Sequence, residues 1–238
     1  ISYQAKNPAL PSCHPFINLF LGWYWSSTSA AINPAYAWSV HTEGGRMFYG
    51  RKDQAYLFWP VRDAGNGLLS STGQQHCYNV LGEETACAGT GQDGELRMGN
   101  PWPDKRFIVN SEVVHDQLTD LFWLIHADLS DGPTTWQEAL ALVQEWSLQR
   151  TGDGLLWRLP SINELASLVD CGSHSPALPF GHPFTGLNDG YWTSTTSYFE
   201  TSWAWVLYLN KGACGVGNKP LREFFVWPVG VAAPSNGA

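Results

Sequence analysis

The sequence is short of charge. Lys, Arg, Asp and Glu make up 14% of 238 residues, against roughly 25% in ordinary globular domains. No apolar run approaches the ~20 residues of a membrane-spanning helix; the best, Phe225 to Ala233, is broken by Pro and Gly. No stretch groups four or more Lys or Arg and the net charge is −8, so the basic footprint of a nucleic-acid binder is missing. Uncharged or cationic partners suit this chain better than polyanions. There is no C-x-x-C pair and no His at zinc-finger distance, so no structural metal site is expected. A G-x-S-x-G elbow and a recognisable His/Asp spacing are absent as well. Nor is there a D-x-D-x-D-G calcium loop, which leaves Asp93 and Glu95 as weak cation ligands. These absences point to a non-enzymatic protein without a cofactor.

What the chain has is aromatic and turn-forming. Thirteen Trp, nine Tyr and eleven Phe stand beside 24 Gly and 15 Pro, the make-up of a loop-rich, β-leaning globular protein rather than a disordered one. Cys77 and Cys87 flank a short turn-like segment and are expected to form a local disulfide. Cys171 and Cys214 are expected to form a second, with Cys13 left over. Two bridges indicate an oxidising compartment.

An internal repeat is legible. Pro8-Ala9-Leu10-Pro11 and His14-Pro15-Phe16 recur as Pro176-Ala177-Leu178-Pro179 and His182-Pro183-Phe184. Tyr24-Trp25-Ser26-Ser27-Thr28 matches Tyr191-Trp192-Thr193-Ser194-Thr195, and Phe58-Trp59-Pro60-Val61 matches Val226-Trp227-Pro228-Val229. Residues 1–62 therefore read as the C-terminal half of a first module and 63–238 as a complete second one. Within the latter, 64–105 form an extended, Gly-rich arm with the local disulfide. A half-module exposes its apolar face unless something completes it. A removed or missing N-terminal portion, a homo-oligomer or a larger assembly would each do so.

Thr135-Trp136-Gln137-Glu138 and Ser161-Ile162-Asn163-Glu164 are capping boxes, each followed by apolar residues at helical spacing. Strands are expected at 106–109 and 120–125 around a turn near 113–117, then at 191–195, 203–209 and 224–229. Trp157, Trp192, Trp205 and Trp227 sit in these apolar runs and are read as core. Glu164 belongs to its cap, with Arg158 anchoring the strand end beside it.

The string Trp157-Arg158-Leu159-Pro160-Ser161-Ile162-Asn163-Glu164-Leu165, then Tyr191 to Thr195 and Ala204-Trp205-Val206, resembles the bacterial domain of unknown function 1566. That family is also called the Legionella collagen-like protein C-terminal domain. Thr72-Gly73-Gln74, Gly89 to Gly94 and Asp116 to Trp123 resemble it too. The resemblance implies an α+β fold like C-type lectins and the formylglycine-generating enzyme, with two short helices and small twisted antiparallel sheets. It also implies secreted or surface-exposed bacterial proteins, some of them adhesive or glycan-binding, and no set of catalytic residues to carry over.

Two loops, 197–202 and 212–221, differ most between the two copies and are the expected ligand surface. Tyr198, Phe199 and Trp203 are candidates to stack on sugar or protein, with Asn218 and Arg222 as polar contacts. The leading expectation is an extracytoplasmic binding or adhesion module for a glycan or protein ligand. The rival is a structural subunit of a bacterial surface or envelope assembly. An enzyme of the formylglycine-generating type would need paired reactive thiols, which Cys214 alone does not supply.

Overall fold

A computed structural model describes residues 1–62, 69–150 and 152–233; the expected junction at 63 and the first residues of the arm lie outside these. In chain order the elements are β1 (Trp23–Ser29), β2 (Tyr36–His41), β3 (Met47–Arg51), β4 (Cys77–Tyr78), β5 (Glu84–Thr85), α1 (Asp93–Leu96), β6 (Phe107–Asn110) and β7 (Val113–Asp116). They continue with β8 (Leu121–Leu124), α2 (Trp136–Gln149), β9 (Leu155–Arg158), α3 (Ile162–Ala166), β10 (Gly190–Thr196), β11 (Trp203–Tyr208), β12 (Ala213–Asn218) and β13 (Val229–Ala232). The protein is mixed α+β, with few helices and several antiparallel sheets. A six-stranded sheet runs β1-β2-β3-β12-β11-β10, a five-stranded one runs β6-β7-β8-β13-β9, and β4 pairs with β5.

Both capping boxes form. The Thr135 hydroxyl accepts from the Glu138 N–H while the Glu138 carboxylate accepts from the Thr135 N–H, and Ser161 and Glu164 do the same at α3. Each box satisfies two donors that a helix start otherwise leaves open. Arg158 forms a fork onto the same Glu164 carboxylate, with one contact at 2.7 Å.

Two expected turns are strands. Val113–Asp116 is β7, the middle strand of a meander. The actual reversals fall at Ser111 and Asp120, which take positive φ. The Gly-rich stretch from 213 to 218, expected as ligand loop, is β12, paired along its length with β11. Its glycines serve packing: a Cβ at Gly217 would stand 2.2 Å from the Phe224 ring, and one at Gly215 would stand 2.7 Å from the Tyr208 ring. The expected strand at 224–229 starts later, at Val229, with only isolated bridges at Phe224 and Phe225.

The repeat reappears in the pairing. In the first hairpin Tyr24 faces Val40 and Trp25 faces Ser39, with a register shift before Ser29. In the second, Tyr191 faces Leu207 and Trp192 faces Val206, with the shift before Thr196. Every partner is displaced by 167 residues, the irregularity included. Short parallel bridges then return both copies, Tyr24 to Leu57 and Tyr191 to Phe225. The two three-stranded units join edge to edge through β3 and β12, which closes two sheet edges against each other.

The core lies under the second unit. Trp123, Trp192 and Trp227 are fully buried, and Trp157 and Trp205 nearly so. The Trp192 and Trp227 indoles donate to the Thr134 and Leu124 carbonyls. Helix α2 lays Ala139 and Val143 against Trp192, Leu159 and Val226. Beneath the meander, Arg106 makes a buried two-point contact with Asp116, at 3.0 and 2.8 Å, and donates to the Ser167 carbonyl. This ties the start of the front half to the end of α3.

Candidate functional site

Two backbone contacts and one from a lysine side chain hold the loop between β10 and β11. The Ser197 N–H donates to the Trp203 carbonyl, and the Trp203 N–H to the Glu200 carbonyl. The Lys219 ammonium, arriving from the end of β12, donates to the Thr201 carbonyl at 2.9 Å. The turn therefore pushes Tyr198 and Phe199 outward, and both rings are exposed. Trp203 is half-buried and pairs directly with Asn218 across β11 and β12. Four of the five expected ligand residues thus share one end of the second unit. Arg222 is bound to Glu138 in the first turn of α2, the helix start that also meets Lys219.

One residue enters this face that no local sequence feature marks. The Lys6 ammonium lies 5.6 Å from the Phe199 ring centre and 5.9 Å from that of Tyr198. It comes from the N-terminal unit, as does Gly44, against which the Phe199 ring rests. Lys219 stands 4.1 Å over the Trp136 ring, and burial lowers its pKa. The face offers exposed aromatic rings beside ammonium groups held by cation–π contact, groups that can stack and donate hydrogen bonds.

The arm bridges the two units. The Cys77–Cys87 disulfide is formed. Asp93, at the start of α1, accepts from the Thr28 and Thr72 hydroxyls at 2.7 and 2.6 Å. The Gln74 side chain both accepts from and donates to the Ser29 backbone. Glu95 accepts from the Gly89 and Gly91 N–H groups, which lowers its pKa. The two carboxylates considered as cation ligands are thus already engaged by protein donors. Among the described residues no group of three or more His, Cys, Asp or Glu is placed to hold a metal ion.

The second expected bridge is not formed. Cys171 and Cys214 are free thiols on the wall of one cavity of about 430 Å³, shared with Trp38, Met47, Thr72 and Trp102. Each backbone is held by its own bonds: Cys214 is paired with Leu207 and Met47, and the Cys171 N–H donates to Thr72. Burial pushes both thiols up to about 12, the behaviour of inert cysteines rather than nucleophiles. The cavity also breaks the internal symmetry. Tyr3 packs its ring edge-on against Trp205 at 4.7 Å, whereas the matching positions in the other copy are Cys171 and Trp38. A small side chain stands where a ring would fill the space.

The profile of the Lcl C-terminal domain matches residues 1–62 and 112–230, which is most of the chain. The chain belongs to the Lcl C-terminal domain family. Its two matched segments end at 62 and 230, the spacing of the internal repeat, and the unmatched stretch contains the arm with its disulfide. No curated protein and no solved structure matches the chain. No helix of the described residues in this Lcl-type protein is long and apolar enough to cross a membrane.

Proposed function

We propose that this Lcl-type chain is a non-catalytic, extracytoplasmic binding module of a bacterial protein, built on a C-type-lectin-like plan, that engages a glycan or protein ligand through the loop face around Tyr198, Phe199 and Trp203. The observation that carries it is the contrast between scaffold and loop. The pairing register is the same in both copies down to the position of its irregularity. The loop that joins the paired strands differs: Ala30-Ala31-Ile32-Asn33-Pro34 in one, Tyr198-Phe199-Glu200 in the other. A repeated frame with one loop replaced by exposed rings is the arrangement of a surface adapted to a ligand. The disulfide fits an oxidising compartment.

A glycan microarray carrying neutral and amino-sugar oligosaccharides tests this with the full chain. Binding that is lost in Tyr198→Ala/Phe199→Ala, with the melting temperature unchanged, is the expected result. Binding that survives the double substitution places the ligand elsewhere. A second reading, a structural subunit of a surface assembly, is favoured by the apolar side chains exposed on the N-terminal unit, among them Phe58 and Val61.

A further inference from the structure

The two copies of the repeat place the same aromatic cluster in opposite environments. In the second, Phe184 packs edge-on against Trp227 at 4.8 Å and Tyr191 leans on the same indole at 5.3 Å. In the first, Phe16 packs edge-on against Trp59 at 4.4 Å and Tyr24 leans on it at 5.9 Å. The geometry is repeated but the burial is not. Phe184 is 5% exposed and Phe16 45%; Val226 and Val229 are fully buried, whereas their counterparts Phe58 and Val61 are 80% and 92% exposed. These rings and their neighbours form an open trough of about 670 Å³ on the N-terminal unit. A contiguous apolar face of this kind marks an interaction surface.

The same chain shows what covers such a face. Over the second copy lies residues 106–168. Trp123 meets Trp227 edge-on at 5.5 Å, and the Leu124 carbonyl accepts from the Trp227 indole at 3.0 Å. Strands β8 and β9 pair on either side of Val229. Helix α2 seals the adjoining cluster around Trp192 and Val226. Over the first copy, among the described residues, the arm covers one corner: Asp93 reaches Thr28, where in the second copy the start of α3 reaches Thr195. Among the described residues nothing comparable lies over the Trp59 end.

We infer that the trough around Phe16, Trp59 and Val61 is a docking surface for the front half of an Lcl C-terminal domain lying outside these 238 residues, a segment patterned like 106–168 that adds a strand to each side of Val61 and a capped helix over Trp25. A second copy that lends its own 106–168 segment does not solve the problem. These 238 residues hold one segment of the 106–168 type and two faces of the kind it covers, so exchange of that segment between two copies of them uncovers one face for each that it covers. The inference rests on the internal repeat and not on the loop face.

The test grafts a duplicate of residues 103–168 directly ahead of Ile1 in the full chain. Hydrogen exchange at residues 57–62 is expected to slow by about tenfold or more, and acrylamide quenching at Trp59 to fall, read as the difference from the Trp59→Phe version of the same fusion. Val61→Lys in the receiving unit is expected to abolish the protection while leaving exchange at residues 226–231 unchanged. If the fusion does not fold, the separate 103–168 polypeptide is titrated onto the intact chain with the same exchange readout. No added protection in either format overturns the proposal. So does protection of residues 57–62 in the unfused chain at concentrations where it is dimeric, which would make a second copy the occupant. Because none of these readouts involves Tyr198, Phe199 or a glycan, failure here leaves the loop-face reading separately testable.

Discussion

Met47 and Cys214 face each other across the β3–β12 edge, and they are the same position of the repeat, displaced by the 167 residues that relate every other pair of the two hairpins. The two units therefore meet about a local two-fold axis, as identical subunits do at an isologous interface. Continuous six-stranded pairing is the outcome, and the cavity beside it is lined from both sides.

Met47→Cys places two thiols directly opposite across an antiparallel pair, where Cα atoms lie ~4.5–5.5 Å apart, within disulfide reach. Refolding the denatured variant in a glutathione redox buffer, where both thiols are open to exchange, is expected to give a 47–214 bridge. Non-reducing peptide mapping reads it directly, and a map with both thiols still free would contradict the β3–β12 pairing.

The three unbridged cysteines should separate by accessibility. Cys13 is exposed, while Cys214 is buried and Cys171 half-buried against the arm, with both of their thiols raised to about 12. Timed alkylation of the native chain is expected to modify one cysteine quickly and the other two only after denaturation. A mass showing two disulfides in the untreated protein would restore the bridge that the sequence led us to expect.

Equivalent tryptophans should have unequal worth. Trp227→Ala removes a fully buried indole with its hydrogen bond and is expected to cost about 3–5 kcal/mol. Trp59→Ala, on the open trough, is expected to cost under about 1.5 kcal/mol, since it creates no enclosed void. Chemical denaturation of the two variants measures both.

Glu164 gives a pH-dependent element. Burial works to raise its pKa, but the Arg158 fork and the Ser161 cap outweigh it and hold the carboxyl below the ordinary glutamate range. A depressed folded pKa contributes stability above the unfolded value and loses it as pH falls through the folded one. Glu164→Gln is expected to cost about 1 kcal/mol at neutral pH, with the partly exposed ion pair discounted for solvent screening. The difference from the parent should vanish as pH drops below the range in which Glu164 ionises. A difference that persists undiminished there would mean the carboxylate charge is not what holds α3.

Both helix starts were legible because a capping box is local: Thr135 with Glu138 and Ser161 with Glu164 solve the donor problem within four residues. The core tryptophans were legible for a similar reason, being embedded in apolar runs whose only good environment is an interior. Strand β12 was not, since Gly215 and Gly217 lower strand propensity and read as loop, and their reason for being there is the Tyr208 and Phe224 rings, both of them outside β12. The pairing of Cys171 with Cys214 failed similarly. Sequence arithmetic counts thiols, but strand register and turn hydrogen bonds fix where their backbones stand. Of the proposed loop face, Tyr198, Phe199, Trp203 and Asn218 were singled out from the divergence between copies, while Lys6, 192 residues from Tyr198, was invisible in the sequence.

By itself the sequence determined that the chain repeats, where its helices begin, which tryptophans build the interior, and that Cys77 pairs with Cys87, because each of these rests on contacts close along the chain or on the cost of leaving an indole in water. Tertiary structure alone decided that the two copies join edge to edge at Met47 and Cys214, that the arm is shared between them, and that one aromatic cluster is sealed while its twin stands open. Those outcomes depend on which surfaces meet, and a surface has no partner until the chain has folded around it.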